Sequence, residues 1–298
     1  MILKIFDLHC DTFCELFDRK TTLDDDSLAV NVFELSQFET AVQTFAVFIH
    51  PKINDTAYRY TEVLQYGKNA LKNWGVKICT DADSLQGDGI KALLSVEGGV
   101  PNFSPKFVEK LYVGGIRTVS LTWNYNNQLA GGCLEDGSLT KLGEEVIKEI
   151  NRFNLTVDLS HLNKNSFYDV IEQAESVVAT HSGVFSTVEH KRNLTDEQLV
   201  LIKDKDGIVG LTVYPDFIGE DPYLGFYNAV MHCLELGLED NLSLGTDFDG
   251  AKMHKNLSKA SHLNKLSRYL IDKNISKSIV KKIFFENSLK FYNRVLTN

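Results

Sequence analysis

Proline is scarce in this chain, five among 298 residues. No Pro-rich linker, low-complexity tract or break in composition divides the sequence, so it reads as a single domain over residues 1–298. Nowhere do about eighteen apolar residues run together, which argues against a membrane-spanning helix. The opening MILKIFDLHCDT carries one lysine and a short apolar stretch. It lacks the long apolar segment and small-residue cleavage site of a secretory leader. Basic runs are missing too. With 31 Lys+Arg against 40 Asp+Glu the net charge is −9, a poor match to nucleic acid, whose binders neutralise phosphates with Lys and Arg. The cysteines, Cys10, Cys14, Cys79, Cys133 and Cys233, are odd in number and form no CxxC pair. They read as reduced thiols of a cytoplasmic protein.

What the chain does have is ample apolar material, 43% against 24% charged, enough for one large core. It is arranged as short β-branched runs alternating with longer amphipathic stretches, the pattern of βα units around a parallel sheet. The runs are 4–9, 41–49, 90–97, 116–122, 155–160, 176–180, 207–214 and 242–246. Helical patterns occupy 58–74, 105–111, 141–153, 165–175, 195–203 and 223–236, and the tail, 255–295, reads as further helix. Thr195 opens TDEQL, a capping sequence. The polar segment 18–36, with its DDD run, reads as a loop or short helix over the barrel mouth. This count predicts a (β/α)8 TIM barrel with extra C-terminal helices; strand order, on which a doubly wound open sheet would differ, is not written in the sequence.

The informative feature is where the polar residues fall. The first run ends in His9-Cys10-Asp11, the third in Glu97-Gly98-Gly99 and the fifth in Asp158-Leu159-Ser160-His161. The sixth ends in His181-Ser182, the seventh in Tyr214 and the eighth in Asp247-Phe248-Asp249-Gly250. In a barrel all these ends face one mouth, where active sites sit. His9 and Asp11, two apart, share a face if the strand stays extended. Singly, each residue has a plainer explanation: Glu97 a helix cap, the histidines packing residues, Asp247 and Asp249 turn formers. Together His9, Asp11, Glu97, His161, His181 and Asp247 offer imidazole and carboxylate without thiolate, a donor set that suits hydrolytic Zn²⁺. Mn²⁺, Fe²⁺ and Co²⁺ are compatible with the same ligands.

The ordered segments DLHCDT, SVEGG, LTWNYNN, DLSH, THS, HKRNLTDEQL and GTDFDG resemble those of the renal (membrane) dipeptidase family, peptidase M19 of the amidohydrolase superfamily, in its soluble bacterial form. The resemblance implies a metal-dependent hydrolase barrel holding two zinc ions, and a dipeptidase in which a hydroxide shared by the ions attacks the peptide carbonyl. It implies that His9 and Asp11 hold one zinc, His161 and His181 the other, and that Glu97 bridges them. Asp247 would shuttle the proton, Arg192 would grip the substrate carboxylate with its planar fork, and Tyr214 would contact substrate. The chain departs from the family at Trp123, which stands where LTH usually supplies a histidine. Indole donates one hydrogen bond and cannot shuttle a proton, so Asn124 or Asn127 is expected to donate instead. That departure gives weight to an alternative, hydrolysis of another small amide such as an N-acyl amino acid or a cyclic amide. A non-catalytic barrel is disfavoured by the intact ligand set, and a sugar-phosphate enzyme by the lack of a Gly-rich loop after the seventh and eighth strands. The expected partner is a dipeptide, with no nucleic acid and no membrane. The family is often dimeric, so a homodimer stays open.

Overall fold

The computed structural model describes residues 4–297. Its strands are β1 (Lys4–Cys10), β2 (Thr40–Phe48), β3 (Lys77–Ile78), β4 (Gly89–Glu97), β5 (Ile116–Ser120), β6 (Thr156–Asp158), β7 (Val177–Ser182), β8 (Ile208–Leu211) and β9 (Leu242–Leu244). All pairings among them are parallel, in the order β2-β1-β9-β8-β7-β6-β5-β4. β2 then pairs back onto β4 from Thr40↔Gly89 to Phe48↔Glu97. This closes a (β/α)8 barrel and leaves no open edge among its members. Each of the eight expected runs is one of these barrel strands. The two-residue β3, which pairs with the start of β4, is an addition too short to show in the pattern.

The strands are buried along nearly their whole length, which is why they read as continuous apolar runs rather than alternating ones. A cluster containing Phe6, Leu8, Val42, Leu93, Val178 and Ile208 draws on β1, β2, β4, β7 and β8, on both sides of the ring, and packs with Tyr292 and Phe291 of the last helix. Tyr292 stacks on Phe6 at 5.4 Å and bonds Thr118 at 2.9 Å. Both partners lie near strand starts, so the tail plugs the N-terminal end and leaves the other mouth free. A larger cluster fills the shell between strands and helices.

The helices follow their sequence cues. Thr195 accepts from the Gln198 amide and Gln198 Oε1 from the Thr195 amide, a complete capping box at the start of Asp196–Asp204. The tail runs as Leu263–Asp272, Lys277–Lys281, a π-helical turn Lys282–Glu286 and Asn287–Thr297. No described helix is long and apolar enough to cross a membrane. Segment 18–36 begins inside the helix Thr12–Arg19 and ends in the short helix Val32–Leu35, with a loop between. Asp249 straps that loop to the barrel: its carboxylate accepts from Ala29 N at 2.7 Å, Val30 N at 3.2 Å and Thr12 Oγ1 at 2.7 Å.

Candidate metal centre

Six side chains from five strand ends converge at the C-terminal mouth. The His9–Asp11 pair does so for a different reason than an extended strand would give. The register of β1 breaks between Asp7 and Cys10, and Asp11 lies past the strand, at the N-cap position of the helix Thr12–Arg19. An Asp in that position ordinarily spends its carboxylate on the helix amides. Asp11 makes no such bond and its Oδ2 lies 3.4 Å from His9 Nε2 instead. Gly250 permits this closeness, because a β-carbon there would run into the Asp11 and Asp247 carboxylates. Gly98, at φ +92°, turns the chain directly after Glu97 against the Ile49 carbonyl. His161, Asp247 and Asp249 also adopt left-handed backbone, at φ 70°, 63° and 64°. Non-glycine residues are seldom held there, and such strain gathers at functional sites.

Glu97 is the hub. Its Oε2 faces His9 Nε2 at 3.3 Å, while its Oε1 faces His161 Nε2 at 2.7 Å and His181 Nε2 at 3.9 Å. Asp247 Oδ1 lies 3.9 Å from His9 Nε2. Two sets therefore offer ligand atoms within 4.8 Å of one another, His9–Glu97–His181 and His9–Asp11–Asp247. Both ring nitrogens of His9 and Asp11 Oδ1 are buried without a hydrogen-bond partner among the described residues, a costly arrangement unless a ligand satisfies them.

The tautomers sharpen the point. His161 Nδ1 lies 2.8 Å from Asn124 Oδ1, an acceptor, so Nδ1 carries the hydrogen and Nε2 a lone pair. Thr180 Oγ1 donates to Asp158 Oδ2 at 2.6 Å and so accepts from His181 Nδ1 at 2.8 Å. The His181 lone pair is thus also on Nε2. These two Nε2 atoms stand 2.8 Å apart. Protonating either is opposed: burial and the Arg192 charge hold His161 down at about 4, and burial, with the His9 and Arg192 charges, holds His181 well below its usual value. Facing lone pairs beside a carboxylate oxygen are what a divalent cation collects, and these residues fit one.

The remaining charges respond to the same crowding. Burial lowers His9, but the Asp11 and Glu97 carboxylates outweigh it and hold the imidazole well above its ordinary value. Burial raises Glu97, and the His161 and His9 rings reverse that, holding it well below. For Asp247, burial with the Asp11 and Glu97 charges pushes the carboxyl up to about 8 against the pull of His9. A carboxyl so placed can hold or release a proton near neutral pH.

A cavity of about 570 Å³ opens above this group. Asp11, Glu97, His161 and Asp247 line it, together with Trp123, Asn124, Arg192 and Tyr214. Every expected site residue but Asn127 therefore belongs to the cavity wall or, for His9 and His181, to the group beneath it. Arg192 is buried rather than solvent-facing. Its Nη2 donates to the His181 carbonyl at 3.0 Å, its guanidinium lies 5.4 Å from the Phe217 ring, and its Nε is unpartnered among the described residues. Tyr214 OH donates to Asp216 at 2.7 Å. The expectation for Asn127 fails: its amide is consumed by Leu121 O, Leu129 N and Ala130 N, which fix its own loop.

Four residues were passed over in the sequence. Asp158 and Thr180 set the His181 tautomer. Asp7 repeats the arrangement beside His9, accepting from Thr246 N at 2.8 Å, Thr246 Oγ1 at 2.6 Å and Gln43 Nε2 at 3.1 Å. The available clue was an acid inside an apolar run two or three residues before a histidine, in KIFDLH and LTVDLSH.

A closed parallel barrel with imidazoles and carboxylates gathered at its C-terminal mouth is the build of a metal-dependent hydrolase. Comparison with known proteins narrows the class. Residues 2–298 match the family described as Membrane dipeptidase (Peptidase family M19), and the chain belongs to that family of metallopeptidases. It is similar to an uncharacterized protein in the pqqA 5′ region of Klebsiella pneumoniae, 27% identical over 235 residues, 72% of this chain and 86% of that one. It is also similar to the dipeptidase tcpJ of Claviceps purpurea, 29% identical over 191 residues, 61% of this chain but 45% of that longer one. In structure it resembles a Rhodobacter sphaeroides metallopeptidase solved with a phosphinate mimic of the dipeptide L-Ala-D-Ala. The TM-score is 0.87 at 20% identity, over 99% of this chain and 100% of the other.

Proposed function

We propose that the chain is a binuclear zinc dipeptidase. The observation that carries this is the divergence of the two Glu97 oxygens, one toward His9 and the other toward the facing lone pairs of His161 and His181. On this reading His9 and Asp11 hold one zinc, His161 and His181 the other, and Glu97 serves both. Bound zinc supplies a polarised carbonyl and a water of lowered pKa. The chain's own residues do the rest. Asp247, whose carboxylate lines the cavity beside His9, takes the proton that the attacking water gives up and delivers it to the leaving amine. Arg192, which lines the cavity with its guanidinium held by the His181 carbonyl, meets the C-terminal carboxylate of the substrate. Tyr214, anchored by Asp216, walls the same side.

Trp123 supplies no proton. Asn124 spends its oxygen on His161 Nδ1, while its amide nitrogen has no partner among the described residues and is the available donor to the substrate carbonyl. The free, buried thiols fit a cytoplasmic enzyme.

The test is metal analysis of protein purified without added metal, paired with a dipeptide panel that includes D-residues at the C-terminus, since the Rhodobacter neighbour was solved with an L-Ala-D-Ala mimic. About two zinc per chain and chelator-sensitive turnover restored by zinc are expected. A protein that keeps one ion, or turns over unchanged in chelator, refutes the reading. A second reading, an N-acyl amino acid or cyclic amide as substrate, is favoured by Trp123 alone. Those amides in the same panel decide between the two.

A further inference from the structure

The cavity has two chemically different ends. Arg192 follows β7, whereas Phe48 and His50 end β2 and Arg59 lies on the helix Thr56–Asn73 just after it. Around the ring β2 and β7 are four steps apart in either direction, so these groups face one another across the mouth. If Arg192 takes the C-terminal carboxylate and the metal centre takes the scissile bond, the N-terminal residue of a dipeptide projects toward the β2 end.

That end is aromatic and acidic. The Trp123 ring lies 5.3 Å from Phe48, 5.6 Å from His50 and 6.1 Å from His161, forming a continuous ring wall beside the centre. The helix Thr12–Arg19, whose Cys14 Sγ accepts from Phe48 N at 3.4 Å, carries Glu15 and Asp18 on the cavity wall. Asp18 is neutralised in a forked pair with Arg59, at 2.5 and 2.7 Å. Glu15 is not neutralised in this way: its one ion pair among the described residues is with Arg19, 3.5 Å off, which is held closer, at 2.8 Å, by Asp25. The β2 end therefore combines π faces with one carboxylate not offset within the cavity. Rings attract cations over their faces, and a nearby carboxylate adds to that attraction.

We propose that this end is a subsite for a cationic side chain, so that the preferred dipeptides carry lysine or arginine at the N-terminal position. This rests on the dipeptidase reading and specifies its substrate class.

The experiment compares kcat/KM of the zinc-loaded enzyme for Lys-Ala, Leu-Ala, Glu-Ala and Ala-Ala. Lys-Ala should exceed Glu-Ala by about tenfold or more, with Leu-Ala between. Glu15→Gln should shrink the Lys-Ala to Glu-Ala ratio about threefold or more, and Trp123→Leu should shrink it again through loss of the ring face. A wild-type ratio near one, or a ratio that Glu15→Gln leaves unchanged, overturns the subsite while the dipeptidase reading survives on Ala-Ala turnover. Should no dipeptide be cleaved, that reading falls, and calorimetric binding of Lys-Ala against Glu-Ala to the zinc-loaded protein decides the subsite. Equal affinities would overturn it.

Discussion

Thr180→Val isolates the contact that would make His181 a ligand on the proposed reading. The hydroxyl receives the His181 Nδ1 hydrogen at 2.8 Å and passes its own to Asp158 Oδ2 at 2.6 Å. Valine keeps the branched shape and removes both bonds. Asp158 Oδ1 keeps the Ser160 and Thr180 amides, but Oδ2 loses its donor inside the core. Nothing then holds the imidazole hydrogen on Nδ1, and the other tautomer places it on Nε2, the atom 2.8 Å from His161 Nε2. A hydrogen bond to a charged group contributes about 1.5–3 kcal/mol. Loss of an outer partner of a metal-bound histidine weakens metal binding about 10–100-fold, or roughly 1.4–2.8 kcal/mol. Zinc affinity, read by competition with a chromophoric chelator at constant pH, should fall by that factor. Thr180→Ser, which keeps the hydroxyl, should restore it. The metal-free Val variant should also melt a few degrees lower, at about 2–4 °C per kcal/mol. A folded Thr180→Val protein that binds zinc within a factor of two of wild type would refute the tautomer argument.

Other outcomes follow from the same geometry. Asp247→Asn should lower kcat about 10²–10⁴-fold with metal content near wild type; loss of zinc instead would make Asp247 a ligand rather than a proton carrier. Arg192→Ala should raise the dipeptide KM about 10–100-fold, the value of a charge-assisted fork, and Arg192→Lys should recover only part of it; an unchanged KM removes Arg192 from recognition. Asp249→Ala leaves the Ala29 and Val30 amides without their acceptor, so the loop around 20–31 should become the first site of limited proteolysis; a digestion pattern like wild type would show that the strap is dispensable. The Ser27 and Thr21 hydroxyls hold Asp25 down at about 2, from an ordinary 3.8. The folded state binds that proton less readily than the unfolded one, so this contribution to stability is complete above the ordinary value and is lost as pH falls toward 2. Asp25→Asn should flatten the stability profile across that window, and an acid limb identical to wild type would contradict the assignment.

The strands and the gathering of the proposed ligands at one mouth were legible because both depend on position along one strand at a time. A buried parallel strand must be apolar over its length, and a polar residue at its C-terminal end has one place to go once the ring closes. His9, Glu97, His161, His181 and Asp247 could each be read from their own segment. What could not be read so directly depends on which strands become neighbours. Asp158 needs Thr180, 22 residues away on β7, and Asp7 needs Thr246, 239 residues away just after β9. The same construction, a buried acid bonded to a threonine from the adjacent strand, thus appears on both sides of the metal centre. Beside His181 it fixes the proton directly. Beside His9 it joins β1 to the segment that carries Asp247, without touching the ring. One clamp accordingly governs the tautomer of His181 and the other the relative placement of His9 and Asp247. Breaking the Asp7–Thr246 pair should displace Asp247 relative to His9, and so lower kcat before it lowers zinc affinity, the reverse of the order expected at Thr180. Thr246→Val, assayed for both quantities, separates the two roles, and a loss of zinc with kcat intact would show that both clamps do the same job.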